Sequence, residues 1–365
     1  MKKLKKLKKP KLPKAVKRPF VRAKPAEERV AEALQGVPRI TNETVAEHRE
    51  EVLSSARKYI YPLQHSKHRL VRISIALLAA VILIFFTYCG LALYKFQSTS
   101  GFIYGVSRVI PFPVAKAGPS WVSYESYLFE LRRNMHYYQT QQRANFSTKD
   151  GKVQLAHLKQ QAMAQVVQES YVKQLASINH VAVSNQAVSN QIILVRSQNR
   201  LGSNDRVFRD VLSQFWGWNE ADFSRELKSQ LLQQAVVAKL DTATNSHAQL
   251  ALQQLHLGTD FATVAAQVSE DPVTKGNGGQ YPNPITQTDR NISPAVTSEI
   301  FRLKAGQISP IINTGYTLEI LKVIDATSTS SHAAHIEFIF KGISTYTKPL
   351  QAKEKPHYYI KVDSI

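Results

Sequence analysis

Hydrophobic and polar residues follow three rhythms along this chain. The first has no polar beat: from Ile73 to Tyr94 run 22 residues without a charge. At roughly 1.5 Å per residue such a run reaches about 33 Å, enough for one helix to cross a bilayer. Cleavable signal peptides start within roughly the first 15 to 30 residues, whereas this run starts at Ile73, so a retained transmembrane anchor is expected. The second rhythm is helical. Tyr127, Leu128, Leu131, Met135 and Tyr138 recur at helical spacing, as do Val153, Leu158, Met163, Val166, Val167 and Val172, and such stripes exist chiefly to be buried. Ser123 is placed to cap a helix beginning at Tyr124, a third helix is expected near Ser203 or Asn204, and a fourth at Asn219, where Asp222 completes a capping box. Trp216 and Trp218 flank Gly217 between those two helices and are expected to pack them together. The third rhythm alternates: Phe112 to Ala117 reads as a short strand before the Gly118–Pro119 turn, and Ala333 to Lys341 (AAHIEFIFK) as another.

Charge sharpens the membrane reading. The formal net charge is +20, and residues 1–70 hold 19 Lys/Arg against 7 Asp/Glu. The first 24 residues carry twelve of those cations and three prolines, a composition expected to stay disordered. Arg57, Lys58, Lys67, Arg69 and Arg72 precede the apolar run, against Lys95, Arg108 and Lys116 after it, so the positive-inside bias puts the N-terminal side in the cytoplasm and residues 96–365 outside. The basic tail, residues 1–24, has the chemistry to contact anionic lipid or nucleic acid, or to serve only as a topology determinant. A single cysteine, Cys89, excludes an intramolecular disulfide and a Cys-based zinc cluster. The chain has no nucleophile-elbow serine, no HExxH and no phosphate loop. The pairs His65/His68 and His332/His335 have metal-like spacing, but no carboxylate or Cys cluster joins them in the sequence, so neither a metal nor a cofactor is expected.

A set of short motifs points to one family. Leu257 to Asp271 (LGTDFATVAAQVSED) reads as a helix-turn-helix ending in Ser-x-Asp, and Gly278–Gly279 follow seven residues later. Then come Ile292 to Phe301, Leu303 to Ile311 (LKAGQISPI) and Thr314 to Val323 (TGYTLEILKV). In this order the motifs resemble the body of a parvulin-type peptidyl-prolyl isomerase over residues 248–324. Residues 111–240, with the phrase VAKAGPSWVSYESY, more loosely resemble the helical chaperone portion of SurA-type and PrsA-type foldases.

The resemblance implies an α+β fold: one transmembrane helix, a mainly helical chaperone module, and a parvulin-like domain with a small antiparallel sheet. It also implies a rearrangement. The family opens with a strand bearing an Ala-x-His-Ile pattern, yet Leu231 to Leu240 reads as the end of a helix, and the matching pattern comes after the domain at Ala333 to Lys341. A circularly rearranged domain is therefore expected, with the Thr/Ser-rich segment before His332 as a hairpin turn and His335 supplying the family's first histidine. The expected layout is a disordered basic tail (1–70), the membrane helix (71–95), a linker (96–110), the helical module (111–240), the parvulin-like domain (241–345) and a C-terminal extension (346–365).

By matching positions the resemblance places Asp271, Thr314 and His335 in a polar network beneath the scissile-free, rotating bond, with Glu319 where the family carries its second histidine. Ile292, Val296 and Phe301 would form the proline pocket with Tyr281 nearby, Val296 standing where the family has an aromatic. X-Pro rotation has a barrier of about 18–20 kcal/mol and needs no nucleophile, only a site that stabilises the twisted amide. The expected activity is isomerisation of X-Pro bonds in unfolded or translocating polypeptides. Glu319 and Val296 leave open a holdase that binds chains without isomerising them, and the tail alone allows a membrane tether for nucleic acid.

Overall fold

The computed structural model describes residues 25–35, 41–60, 63–197 and 204–362. The chain divides into two compact units, Met1–Leu83 and Ile84–Ile365. In the first, α1 (Ala26–Gln35) and α2 (Asn42–Ile60) replace the disorder expected for the whole tail. All seven acidic residues of the first 70 lie between Glu27 and Glu51, interleaved with arginines, so this stretch is charge-balanced and helix-forming. The basic run 1–24 lies outside the described residues. A third helix, α3 (Leu63–Gly90), carries the apolar run and continues as a π-helical turn, Leu91–Lys95. It is the one helix among the described residues long and apolar enough to cross a membrane.

The second unit begins where a linker was expected, yet α4 (Gly101–Val109) forms there, capped by Ser100, with Ile103 and Ser107 turned inward. Strands β1 (Pro113–Ala117) and β2 (Ser120–Ser123) form a hairpin and lead into α5 (Tyr124–Gln141). Ser123 caps α5 by accepting from Ser126 N, as its place before the aromatic stripe requires. The second stripe is one long helix, α6 (Lys149–Ile178), burying Leu158, Met163, Val166, Val167 and Val172 but leaving Val153 exposed. Then follow α7 (Asn185–Ser197), which no stripe announced, α8 (Asp205–Trp216) capped by Asn204, and α9 (Glu220–Leu240) with the Asn219–Asp222 capping box intact. Trp218 stacks on Trp216 at 5.7 Å and on Phe129 at 5.3 Å, so the tryptophans pack helices.

The C-terminal half builds the smaller sheet. After α10 (Thr242–His256) and α11 (Phe261–Val268) come β3 (Ile285–Thr286), α12 (Pro294–Ile300), β4 (Ile312–Asn313), β5 (Thr317–Ala326) and β6 (Ser330–Ile339). The antiparallel order is β3-β6-β5-β4, so the strand that comes last in sequence lies inside the sheet. Register fixes its faces. Glu319 pairs with Glu337 and Leu321 with His335, so odd-numbered residues of both strands share one face and even-numbered ones the other. The even face (Leu318, Ile320, Ile336, Phe338) packs on α10 and α11, while the odd face covers Leu321, Val323, Val296 and Ile300.

The chain then returns. Helix α13 (Ser344–Lys353) packs on α6, and β7 (His357–Tyr358) pairs with β1, placing Ile360 in the same core as Val114, Tyr124 and Leu158. The expected C-terminal extension is thus the closing strand of the helical module.

Candidate active site

The site grows from a turn, a glycine pair and two strands. After α11, Ser269 is fully buried and its hydroxyl accepts from Glu337 N, tying the turn to β6. Asp271 then folds an Asx turn, accepting from Val273 N at 3.0 Å and Thr274 N at 3.3 Å, with Pro272 setting the bend. The Thr274 hydroxyl donates to Asp271 Oδ2 at 2.5 Å. Next, Gly278 and Gly279 adopt φ of +65° and +81°, values that disfavour side chains. A Cβ on Gly279 would stand 2.3 Å from the His335 carbonyl, and Gly279 O accepts from His335 N at 2.8 Å. The double glycine therefore lets the loop lie directly against β6.

That contact seats His335 between two carboxylates. Its Nε2 lies 2.9 Å from Asp271 Oδ2 and 2.9 Å from the Thr274 hydroxyl, while Nδ1 lies 3.0 Å from Glu319 Oε2. Tyr281 stacks on the imidazole with centroids 4.3 Å apart and donates to Glu319 Oε2 at 3.3 Å. Burial opposes an imidazolium here, but hydrogen bonds to Glu319 and Asp271 outweigh it and raise the His335 pKa. Burial likewise works against ionised Asp271, yet the bonds from Thr274, Val273 and His335 hold its carboxyl below the usual value. Glu337, directly across from Glu319, is pushed up first by burial and then by that neighbour. The protonated ring donates at both nitrogens, so the site holds a fixed positive charge under an apolar shelf.

Of the residues singled out from the sequence, Asp271, His335, Glu319 and Tyr281 come together. Thr314 does not touch them. It sits in the β4–β5 turn and bonds Thr317, whose hydroxyl donates to Glu319 Oε1 at 3.3 Å, so it stands two bonds from His335. Thr274 holds the place expected of Thr314. The apolar set also divides: Ile292 and Phe301 are half-buried beside Tyr281, but Val296 is fully buried under them and supports the shelf from below. Thr274 had a local signature in Asp-Pro-x-Thr, a turn in which side chains bond nearby backbone.

His335 and His332 cannot share a metal, because residues three apart on a strand face opposite ways; His332 instead bonds Asp325 at 2.7 Å. The ligand atoms of Glu319, His335 and Glu337 do lie within 4.8 Å of one another, as do those of Glu130, Glu169 and Glu226. In the first group both His335 nitrogens are taken by carboxylates, and in the second Glu130 pairs with Arg133 at 2.7 Å.

A four-stranded antiparallel sheet whose buried histidine is bracketed by acids, joined to a long-helix module, defines a parvulin-type domain on a chaperone-like support. The chain belongs to that class: residues 231–325 match the PPIC-type PPIASE domain and residues 64–237 the SurA-like N-terminal domain. The match to the isomerase domain ends before β6. Among curated relatives, the foldase protein PrsA of Clostridium botulinum strain Hall is 26% identical over 133 residues, covering 36% of this chain and 38% of the relative. That of strain Langeland is 24% identical over 136 residues, covering 37% and 39%. The chain thus spans under two fifths of the length of these relatives. Solved structures similar to it include the peptidylprolyl isomerase PrsA of Bacillus anthracis (16% identity, 52% of this chain, 86% of that one, TM-score 0.17). Another is the foldase PrsA of Streptococcus pneumoniae (18% identity, 66% of this chain, 84% of that one, TM-score 0.18).

Proposed function

We propose that this chain is a membrane-anchored, extracytoplasmic foldase that isomerises X-Pro bonds in polypeptides emerging from the membrane. The observation that carries the reading is the Asp271–His335–Glu319 line with Tyr281 stacked on it. A proline ring rests on the half-buried shelf of Tyr281, Ile292 and Phe301, and the imidazolium beneath presents fixed charge to the rotating amide. Rotation separates the carbonyl from the nitrogen electronically, so a preorganised site in a water-poor setting lowers the barrier without covalent chemistry. Strand β6 acts as the family's opening strand, supplied from after the domain. The anchor is α3, with its basic flank on the cytoplasmic side.

One observation favours a holdase role in addition. A cleft of about 630 Å³ runs between the helical module and the β4–β5 turn, lined by Gln191, Gln230, Gln234, Phe223, Leu231 and Tyr316. Neutral amides that both donate and accept match the peptide groups of an extended chain.

The test is proline-isomer exchange on a peptide series varying the residue before proline, with Asp271→Ala and His335→Ala beside the wild type. Turnover lost in both variants is expected. Wild-type turnover retained in both would remove the site assignment, and a folded wild type with no turnover that still suppresses client aggregation would leave only the holdase.

A further inference from the structure

Between the membrane helix and the body of the second unit there is no slack. Cys89, Ala92 and Leu93 are buried, Tyr124 Oη donates to Leu93 O at 2.6 Å, and Tyr94 Oη donates to Pro113 O at 2.8 Å. The last turns of the apolar run are therefore part of the module's core.

Beside those turns lies α4. It buries Ile103 and Ser107 on one side, while on the other Phe102 is 59% and Val109 82% exposed, with Gly105 and Val106 between them at helical spacing. Phe96, on the approach to α4, is 69% exposed. Two ring contacts fix the depth of this face. Phe102 lies 6.4 Å from Tyr88, and Phe112, just beyond α4, lies 6.5 Å from Phe86. Phe86 stands eight residues before Tyr94, about 12 Å down a helix axis. When the apolar run crosses a bilayer, a side chain at that level is below the headgroups.

We infer that α4 and the Val109–Phe112 segment form a wedge embedded in the outer leaflet, with lipid acyl chains covering Phe102, Val109 and Phe112. The inference rests on α3 being a membrane anchor. Arg108 and Lys95, both exposed, are long enough to reach phosphates from there. Interfacial helices of this kind bury their apolar face roughly 5–10 Å deep, which agrees with the placement beside Tyr88 rather than at mid-span. The consequence is that the module is fixed in height and orientation over the bilayer.

The test uses the full chain in phosphatidylcholine/phosphatidylglycerol vesicles, in a Cys89→Ala background, with nitroxide labels at Phe102→Cys and Val109→Cys. Ile82→Cys serves as the span control and Val273→Cys, on an exposed turn of the isomerase domain, as the aqueous one. Should Cys89→Ala disturb folding, judged by tryptophan emission, the buried native thiol is retained, since it is shielded from the label. Collisions with oxygen exceeding those with a water-soluble nickel chelate severalfold at 82, 102 and 109, and the reverse at 273, are expected. Water-like behaviour at 102 and 109 with a lipid-like 82 overturns the wedge alone. Spin–spin broadening at 102 or 109, the mark of a second copy on this face, overturns it too. A water-like 82 removes the anchor and the wedge together.

Discussion

Replacing Glu319 with glutamine keeps the size of the side chain and removes its charge. The carboxylate lies 3.0 Å from His335 Nδ1, and both side chains are more than nine-tenths buried. A hydrogen bond with a charged partner is worth roughly 1.5–3 kcal/mol, and since about 1.36 kcal/mol is one pKa unit, the His335 pKa should fall by about 1 to 2 units. The drop stops there because Asp271, 2.9 Å from Nε2, keeps its hold. The sign of the stability effect follows from the raised pKa: the contribution of the charged ring is fully present below the free value of 6.5 and is lost as pH rises through the folded value. In Glu319→Gln that loss is smaller and begins at lower pH. The assay is an NMR titration of the His335 ring, assigned with His335→Asn, beside the pH profile of proline isomerisation. A ring that titrates at the same or higher pH in Glu319→Gln would refute the claim that Glu319 holds the proton on His335.

Gly279→Ala should destabilise the protein by about 3 kcal/mol, combining left-handed backbone strain with a lost hydrogen bond and a displaced strand contact. The origin is the 2.3 Å approach to the His335 carbonyl at φ +81°, and a urea midpoint unchanged from wild type would contradict it. Burial pushes the Glu130 carboxyl up to about 8 despite Arg133 beside it, so the folded state binds the extra proton and stability falls as pH rises from about 4.5 to about 8. Glu130→Gln should therefore match wild type in thermal midpoint at pH 5 and exceed it at pH 9; equal shifts at both pH values would show that the carboxyl is ionised throughout.

Features set by neighbours in sequence were legible in advance. Ser123 and the Asn219–Asp222 box mark helix starts because a cap needs only the next three residues. The Ala-x-His-Ile pattern and the Ser/Thr-rich turn were enough to place His335 inside the sheet, because a short connection leaves two strands little choice but to pair. Thr314 and Thr274 were not separable that way. Both lie near turns, and which hydroxyl reaches His335 depends on how the loop after α11 packs on β6, a contact across about 60 residues. Val296 misled for a similar reason, since alignment gives a position in the chain but not its depth beneath Ile292 and Phe301. Charge summed over 70 residues hid α1 and α2, because a dense basic run swamped a balanced stretch. Nothing local announced that His357 and Tyr358 would pair with β1.

That last pairing has a consequence for how the molecule is made. Strand β1 lies between β2 and β7, yet β7 follows it by about 240 residues. At synthesis rates of roughly 5–20 residues per second, β1 waits on the order of 10–50 s for its partner. Through that interval the helical module carries an open strand edge and lacks Ile360 from its core, while the isomerase domain, built from contiguous chain, is already complete. The catalytic half is thus the first to mature, and the unfinished half beside it is the earliest polypeptide on which it can act.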